Sequence, residues 1–227
     1  MPRYIEQLVS AQVKRSELAR RRECERGEAA AAKPVITISR RMGSGARIVA
    51  GKLAEDLGWS LWDKKLIDAI AERADVSRRV VEAFDEHTVS EIEAFARSVL
   101  GDHEMGGFLY ARHLAKAVAA IGKLGNAIIL GRGANFLLPH ALNVRIDASD
   151  ERRIQNMMNY ESLTREEAEH KIRVSDRERR EFLYSVFGRE KVDNVHYDLT
   201  IWMDEFTTAA AVDIIKTALK AKCKPVT

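Results

Sequence analysis

From Val35 onward, short apolar runs alternate with long amphipathic stretches. Residues 35–38, 59–62, 127–130, 142–146 and 198–202 are brief and rich in Val, Ile, Leu or Trp, and read as strands. Between them, helical spacing of apolar residues predicts helices near 47–57, 64–73, 77–86, 89–99, 108–123, 150–159, 164–184 and 207–221. Apolar strands separated by helices indicate an α/β fold with a parallel sheet covered on both faces. Such sheets gather ligands at the C-terminal ends of their strands. Three of the expected ends carry polar or glycine-rich groups: Ser39-Arg40 and the loop after them, Asp63, and Gly131-Arg132-Gly133. The stretch 63–126 is almost wholly helical, which fits a cap over a ligand or a plain helical subdomain. Its glycine-bearing segment 101–107 reads as a flexible connection. Upstream, Ile5, Leu8, Val9, Val13 and Leu18 form one apolar stripe over residues 3–26, followed by an alanine-rich linker that ends at Pro34. The chain therefore divides into a helical extension with linker, 1–33, and a main domain, 34–227. The stripe leaves open whether the extension docks on its own domain, on a second copy in a homo-oligomer, or on another partner.

Composition narrows the class. A chain of 227 residues with 46% hydrophobic and 31% charged residues fits a globular domain with a charge-rich surface. No apolar run approaches the ~20 residues of a membrane span, and the N-terminus lacks the apolar core of a signal peptide. Cys24 and Cys223 lie near opposite ends without metal-ligand spacing, which points to a reduced, cytoplasmic compartment and to no metal site built by protein ligands. The net charge of +3 is too small to imply a nucleic-acid protein. Even the arginine-rich residues 1–30 offset seven Lys/Arg with five Glu.

The candidate chemistry begins after the first strand. There Gly43-Ser44-Gly45-Ala46-Arg47 opens into a helical pattern, the geometry that aims backbone amides and a helix N-terminus at a phosphate. The usual phosphate-loop string is not met: Arg47 stands at its lysine, Ala46 at its second glycine, and Ile48 at the hydroxyl that touches magnesium. Arg132, between two glycines, can approach a phosphate closely and grip it with two parallel hydrogen bonds. Asp63 could accept from a base or sugar, or cap the helix that starts at Lys64. On a helix Arg173, Arg177 and Arg180 share a face at i, i+4 and i+7, with Asp176 spaced to hold Arg173 and Arg180. That stripe suits a polyphosphate whose charge moves between oxygens, and equally suits a salt-bridged surface helix.

Five strings, taken in order, resemble the cytidylate kinase-like family, relatives of cytidylate kinase among the P-loop nucleoside monophosphate kinases. They are Ile-Thr-Ile-Ser-Arg-Arg-Met-Gly-Ser-Gly-Ala-Arg, Leu-Gly-Trp-Ser-Leu-Trp-Asp-Lys-Lys, Ile-Leu-Gly-Arg-Gly-Ala-Asn, Ile-Arg-Val-Ser-Asp-Arg-Glu-Arg and His-Tyr-Asp-Leu. The resemblance spans residue 34 to about residue 220 and leaves out the first 33. It implies a three-layer P-loop fold with a five-stranded parallel sheet, a helical monophosphate-binding insertion at 63–126 and an arginine-rich lid at 164–190. It also implies transfer of the γ-phosphoryl of ATP, with Mg2+, to a nucleoside monophosphate such as CMP or dCMP. On this reading Gly43, Ser44, Gly45, Ala46 and Arg47 hold the donor phosphates, and Arg152 and Arg153 border the donor base. Asp63, Lys64 and Arg132 meet the acceptor, while Arg173, Asp176, Arg177 and Arg180 form the lid. The arginine expected shortly after Asp63 for the acceptor phosphate is missing, and Lys64 or Lys65 would have to serve as point charges. A catalytically silent nucleotide-binding module that signals to a partner is the alternative those departures favour.

Overall fold

The computed structural model describes residues 7–14, 18, 33–72, 84, 86–100 and 107–222. Five parallel strands are β1 (Val35–Arg40), β2 (Ser60–Trp62), β3 (Ala127–Leu130), β4 (Leu142–Asp147) and β5 (Leu199–Trp202), ordered β2-β3-β1-β4-β5. The helices among the described residues are α1 (Ala46–Leu57), α2 (Lys64–Glu72), α3 (Glu86–Leu100), α4 (Gly107–Leu124), α5 (Ala134–Leu137), α6 (Asp150–Glu161), α7 (Arg165–Phe187), α8 (Arg189–Asp193) and α9 (Thr208–Lys222). Each expected strand is present to within two residues of its sequence bounds. The one-turn helices α5 and α8 carry no periodic signal, and the expected helix at 77–86 lies almost entirely outside the described residues.

Period-two alternation along the strands fills two cores. Ile36, Ile38, Ile128, Leu130, Val144, Ile146 and Ile201 face α1 and α9, meeting Val49, Leu53, Val212 and Ile215. Val35, Ala127 and Ile129 face the helical insertion, meeting Ile67, Ile70, Leu114, Val118 and Ile121. Each of these side chains removes apolar surface from water, worth roughly 1.5–3 kcal/mol for a fully buried Val, Leu or Ile. The N-terminal helical segment 7–14 joins the second core: Val9 and Val13 are buried there and Leu8 packs against it. Among the described residues of the apolar stripe, Leu8, Val9 and Val13 thus pack on the same chain, while Leu18 is exposed.

This layering fixes where a ligand can sit. After β1 the chain enters α1 on one face of the sheet, whereas after β3 it enters α5 on the other. Adjacent strands whose connections leave on opposite faces open a crevice between their C-terminal ends. Here the crevice lies between Ser39-Arg40 and Gly131-Arg132-Gly133, and α7 runs across it.

Candidate functional site

The glycine turn is shaped by its neighbours. Gly43 and Gly45 both sit in the left-handed region, with φ of 78° and 79°. A Cβ on Gly43 would lie 2.6 Å from the carbonyl oxygen of Arg153, so the backbone of α6 presses on the turn where only glycine fits. Arg153 donates from Nε to the Met42 carbonyl at 2.7 Å, and Asn156 donates from Nδ2 to the Gly43 carbonyl at 2.7 Å. Arg153 is only 1% exposed, and its guanidinium also pairs with Asp150 and with Asp176 of α7. Asp176 in turn accepts from the Met42 amide at 3.4 Å. Both carbonyls that would repel a phosphate are therefore engaged by α6. Ser44 is 1% exposed, and its Oγ has no hydrogen-bond partner. An orphaned buried hydroxyl beside the unsatisfied amides of a helix N-terminus is a fit for a phosphate oxygen.

Arg41 props the same turn from the β4 side. Its Nε donates to Asp147 at 2.7 Å and its Nη2 to the Ala148 carbonyl at 3.0 Å. Burial pushes the Asp147 carboxyl up. Hydrogen bonds from Arg41, the Ala148 amide and Arg145 outweigh that and hold its pKa below the ordinary aspartate value. Arg47, at the start of α1, is largely exposed and pairs with Asp63 at 3.3 Å. Asp63 also caps α2, accepting from the amides of Lys65 at 3.0 Å and Leu66 at 3.2 Å.

Across the crevice a pocket of about 390 Å3 opens at the ends of β1 and β3, roofed by α7. Arg40, Lys64, Arg132, Arg145 and Arg179 all line it, with Glu178 as the acid among the lining residues. Arg132 has φ +53°, a strained conformation for a non-glycine residue, held between Gly131 and Gly133. Its guanidinium pairs with Asp68, lies 4.7 Å from the Phe182 ring centroid and 5.9 Å from that of Tyr110. Asp68 also accepts from the Tyr110 hydroxyl at 2.8 Å and meets Lys64 at 3.5 Å. A larger groove of about 660 Å3 opens at the opposite ends of the strands, beside Val35 and Leu142, and holds none of the predicted residues.

Arg173, Asp176, Arg177 and Arg180 are not among the residues that line the pocket under α7. Arg173, Arg177 and Arg180 are exposed, Arg173 and Arg177 touching only Glu169 at 3.8 Å and Glu181 at 4.0 Å. Asp176 holds Arg153 and Arg179 instead of Arg173 and Arg180. Spacing fixes which arginines share a face but not which way that face turns. Buried Ala168 and Ile172 set the phase of α7, and the continuation of Ile172 at i+3, i+7 and i+10 brings Ser175, Arg179 and Phe182 to the pocket. Sequence reasoning marked Arg40 only as part of a polar strand end and missed Arg145, Asp68 and Asn135; the apolar phase would have found Arg179. Arg152 is exposed beside Asp204, whereas its neighbour Arg153 is spent on the turn.

The sequence profile of the cytidylate kinase-like family matches residues 35–205, from the start of β1 past the end of β5. The chain belongs to this family. The matched span contains the glycine turn, the pocket and α7, and leaves out the N-terminal segment 7–14. A solved structure of an uncharacterized protein from Eubacterium ventriosum has the same fold, with a TM-score of 0.54 at 20% identity over 83% of this chain and 99% of that one. A second, TT1252 from Thermus thermophilus, gives 0.48 at 18% identity over 86% and 100%. Comparison with curated protein sequences finds no match. No helix among the described residues is long and apolar enough to cross a membrane.

Electrostatics in this family member's pocket favour an anion. Burial and the charges of Arg179, Arg132 and Arg47 pull the Arg40 pKa down to about 9, against a smaller opposing pull from Asp63. Burial also lowers that of Arg179, with Arg153, Arg145 and Arg132 adding to the shift against the pull of Asp176. A bound anion raises these values again, so binding above pH about 9 takes up a proton. Affinity for the phosphate dianion, measured by titration calorimetry and corrected for phosphate's own second ionisation at pH ~7, is expected to be level between about pH 7 and 8.5, and to fall once pH passes about 9. An affinity that rose through that range would contradict the assignment.

Proposed function

We propose that the protein transfers the γ-phosphoryl group of ATP to a nucleoside monophosphate, with CMP or dCMP the first acceptor to test. The observation that carries this reading is the arginine-lined pocket opening beside a glycine turn with an orphaned buried hydroxyl. The turn follows β1 and the pocket opens at the end of the same strand, an arrangement that supports an in-line transfer between two phosphates.

The donor phosphates would lie on the amides of Gly45, Ala46 and Arg47, with the Ser44 hydroxyl beneath them and the Arg47 side chain at the rim. Magnesium would arrive as part of the nucleotide. Among the described residues no cluster of His, Cys, Asp and Glu is suited to a metal, and Ile48 brings no hydroxyl to the turn. Water and nucleotide phosphates would complete its coordination. An acceptor phosphate is already ionised at neutral pH, so no general base is required. One of its oxygens forms the new bond to the γ-phosphorus while the bond to the β–γ bridging oxygen breaks, and ADP leaves with that oxygen's charge. Arg132 and Arg179 line the pocket and would meet the charge that spreads over the transferring group, with Asp68 fixing the Arg132 fork.

Arg47 is largely exposed, so its contribution is screened. Arg47→Ala should weaken ATP binding by about three- to tenfold, the scale of an exposed charge contact with a phosphate, as read by titration calorimetry. Phosphotransfer from ATP and magnesium to a panel of ribo- and deoxyribonucleoside monophosphates tests the function itself. Turnover of one acceptor establishes the reaction and names the substrate. ATP binding without turnover of any acceptor favours the second reading, a nucleotide-binding module that signals to a partner, to which Ala46 and Ile48 already lean.

A further inference from the structure

We propose that Arg40 is the main ligand for the phosphate monoester of the acceptor, replacing from β1 the arginine that is missing after Asp63. This rests on reading the crevice pocket as the acceptor site.

Four features of Arg40 set it apart from the other cations there. First, the others are matched to acids: Arg132 and Lys64 to Asp68, Arg145 to Asp147, and Arg179 to Asp176. Among the described residues Arg40 forms no ion pair, and its strongest charge neighbours after burial are cations. Holding an unmatched guanidinium away from water is costly unless something anionic meets it. Second, the space it fills is built for it. A Cβ on Gly131 would overlap Arg40 Nη1, so the left-handed glycine after β3 is what lets the guanidinium lie across the strand end. Third, its carbonyl accepts from Arg179 Nη1 at 2.7 Å, which locks the strand end to α7. Fourth, its charge neighbours include Arg47, from the helix that follows the turn, with its partner Asp63, and Arg132 and Arg179 of the pocket lining. That places it between turn and pocket, where an acceptor phosphate must stand for its oxygen to attack the γ-phosphorus of a donor held by the turn.

Two unsatisfied donors complete the site. Arg132 Nε and Asn135 Nδ2 are buried without partners, although Asn135 accepts from Ser39 at 3.1 Å through its other atom. Both residues line the pocket. A planar guanidinium, a second guanidinium edge and an amide make a donor set for a tetrahedral dianion. Lysine could not take Arg40's place fully, because an ammonium lacks the fork. Lys65, the other substitute suggested by the sequence, is exposed and is not among the pocket-lining residues.

The test is titration of the full-length protein with inorganic phosphate, with CMP and with cytidine, comparing wild type with Arg40→Gln and Arg40→Lys. Wild type should bind phosphate and CMP but not cytidine alone. Arg40→Gln should lose about ten- to a hundredfold in affinity for both anions, the range of a charge-assisted hydrogen bond, and Arg40→Lys should recover part of it. Without ligand, Arg40→Gln should melt at or above the wild-type temperature, because it removes a crowded charge. An arginine with a purely structural role would instead lower the melting temperature on substitution. Unchanged phosphate affinity in Arg40→Gln overturns the proposal even if the enzyme turns over CMP. Arg40-dependent phosphate binding without turnover leaves the proposal standing and counts against the kinase.

Discussion

Replacing Arg132 with alanine is expected to lower kcat/KM for the acceptor by about 10²–10³-fold, the usual loss when one donor to transition-state charge is removed. The guanidinium is held by three constraints at once: the Asp68 carboxylate, the faces of Phe182 and Tyr110, and a left-handed backbone between two glycines. Such over-determination fits a group that must not move as charge develops in front of it. Asp68 keeps Lys64 and the Tyr110 hydroxyl after the substitution, so the fold should survive. Arg132→Lys separates charge from geometry: it keeps the positive charge and loses the bidentate fork. Steady-state kinetics beside a thermal melt would read both effects. An alanine variant within about threefold of wild type in kcat/KM would remove Arg132 from the reaction.

The largest stability effect is expected at Arg153. Its side chain is 2% exposed and supports the Met42 carbonyl, Asp150 and Asp176 together. Arg153→Met deletes the buried cation and leaves the partly buried Asp176 with the longer contacts to Arg179 at 3.6 Å and the Met42 amide at 3.4 Å. Breaking a buried pair from one side costs about 3–5 kcal/mol. For a domain of this size each kcal/mol lowers the melting temperature by roughly 2–4 °C, giving a drop of about 6–20 °C. Calorimetric melting measures it directly, and nucleotide affinity should fall with it because the turn loses its strut. A drop below about 3 °C would mean that Asn156 and Asp176 hold the turn without Arg153.

Much of the fold was legible because strand and helix periods are local properties. Alternation at Ile36, Ile38, Val144 and Ile146, and turn glycines at 43 and 45, are visible to anyone reading the chain. The site was legible only where a motif is contiguous, as in the glycine turn and at Arg132. Arg40 was marked only as part of a polar strand end and given no role, because nothing in Ile-Ser-Arg-Arg tells which arginine is matched by an acid; that depends on Asp147, more than a hundred residues later, which takes Arg41. In the lid stripe, Asp176 pairs with Arg153 and Arg179 and not with Arg173 and Arg180, because the buried Ala168 and Ile172 orient the helix and spacing alone does not. Asp63 illustrates a third case. Its helix cap and its pairing with Arg47 are both real, and the cap alone was readable from its position before Lys64.

The turn after β1 hangs from α6 and α7 by its carbonyls and its Met42 amide. Its shape is therefore specified at a distance, and its letters other than Gly43 and Gly45 are freed to drift. Ala46 and Ile48 change what the turn can touch without changing how it is folded. Selection on the turn's geometry then falls on Arg153, Asn156 and Asp176, and these should covary with one another more tightly than with the loop they hold.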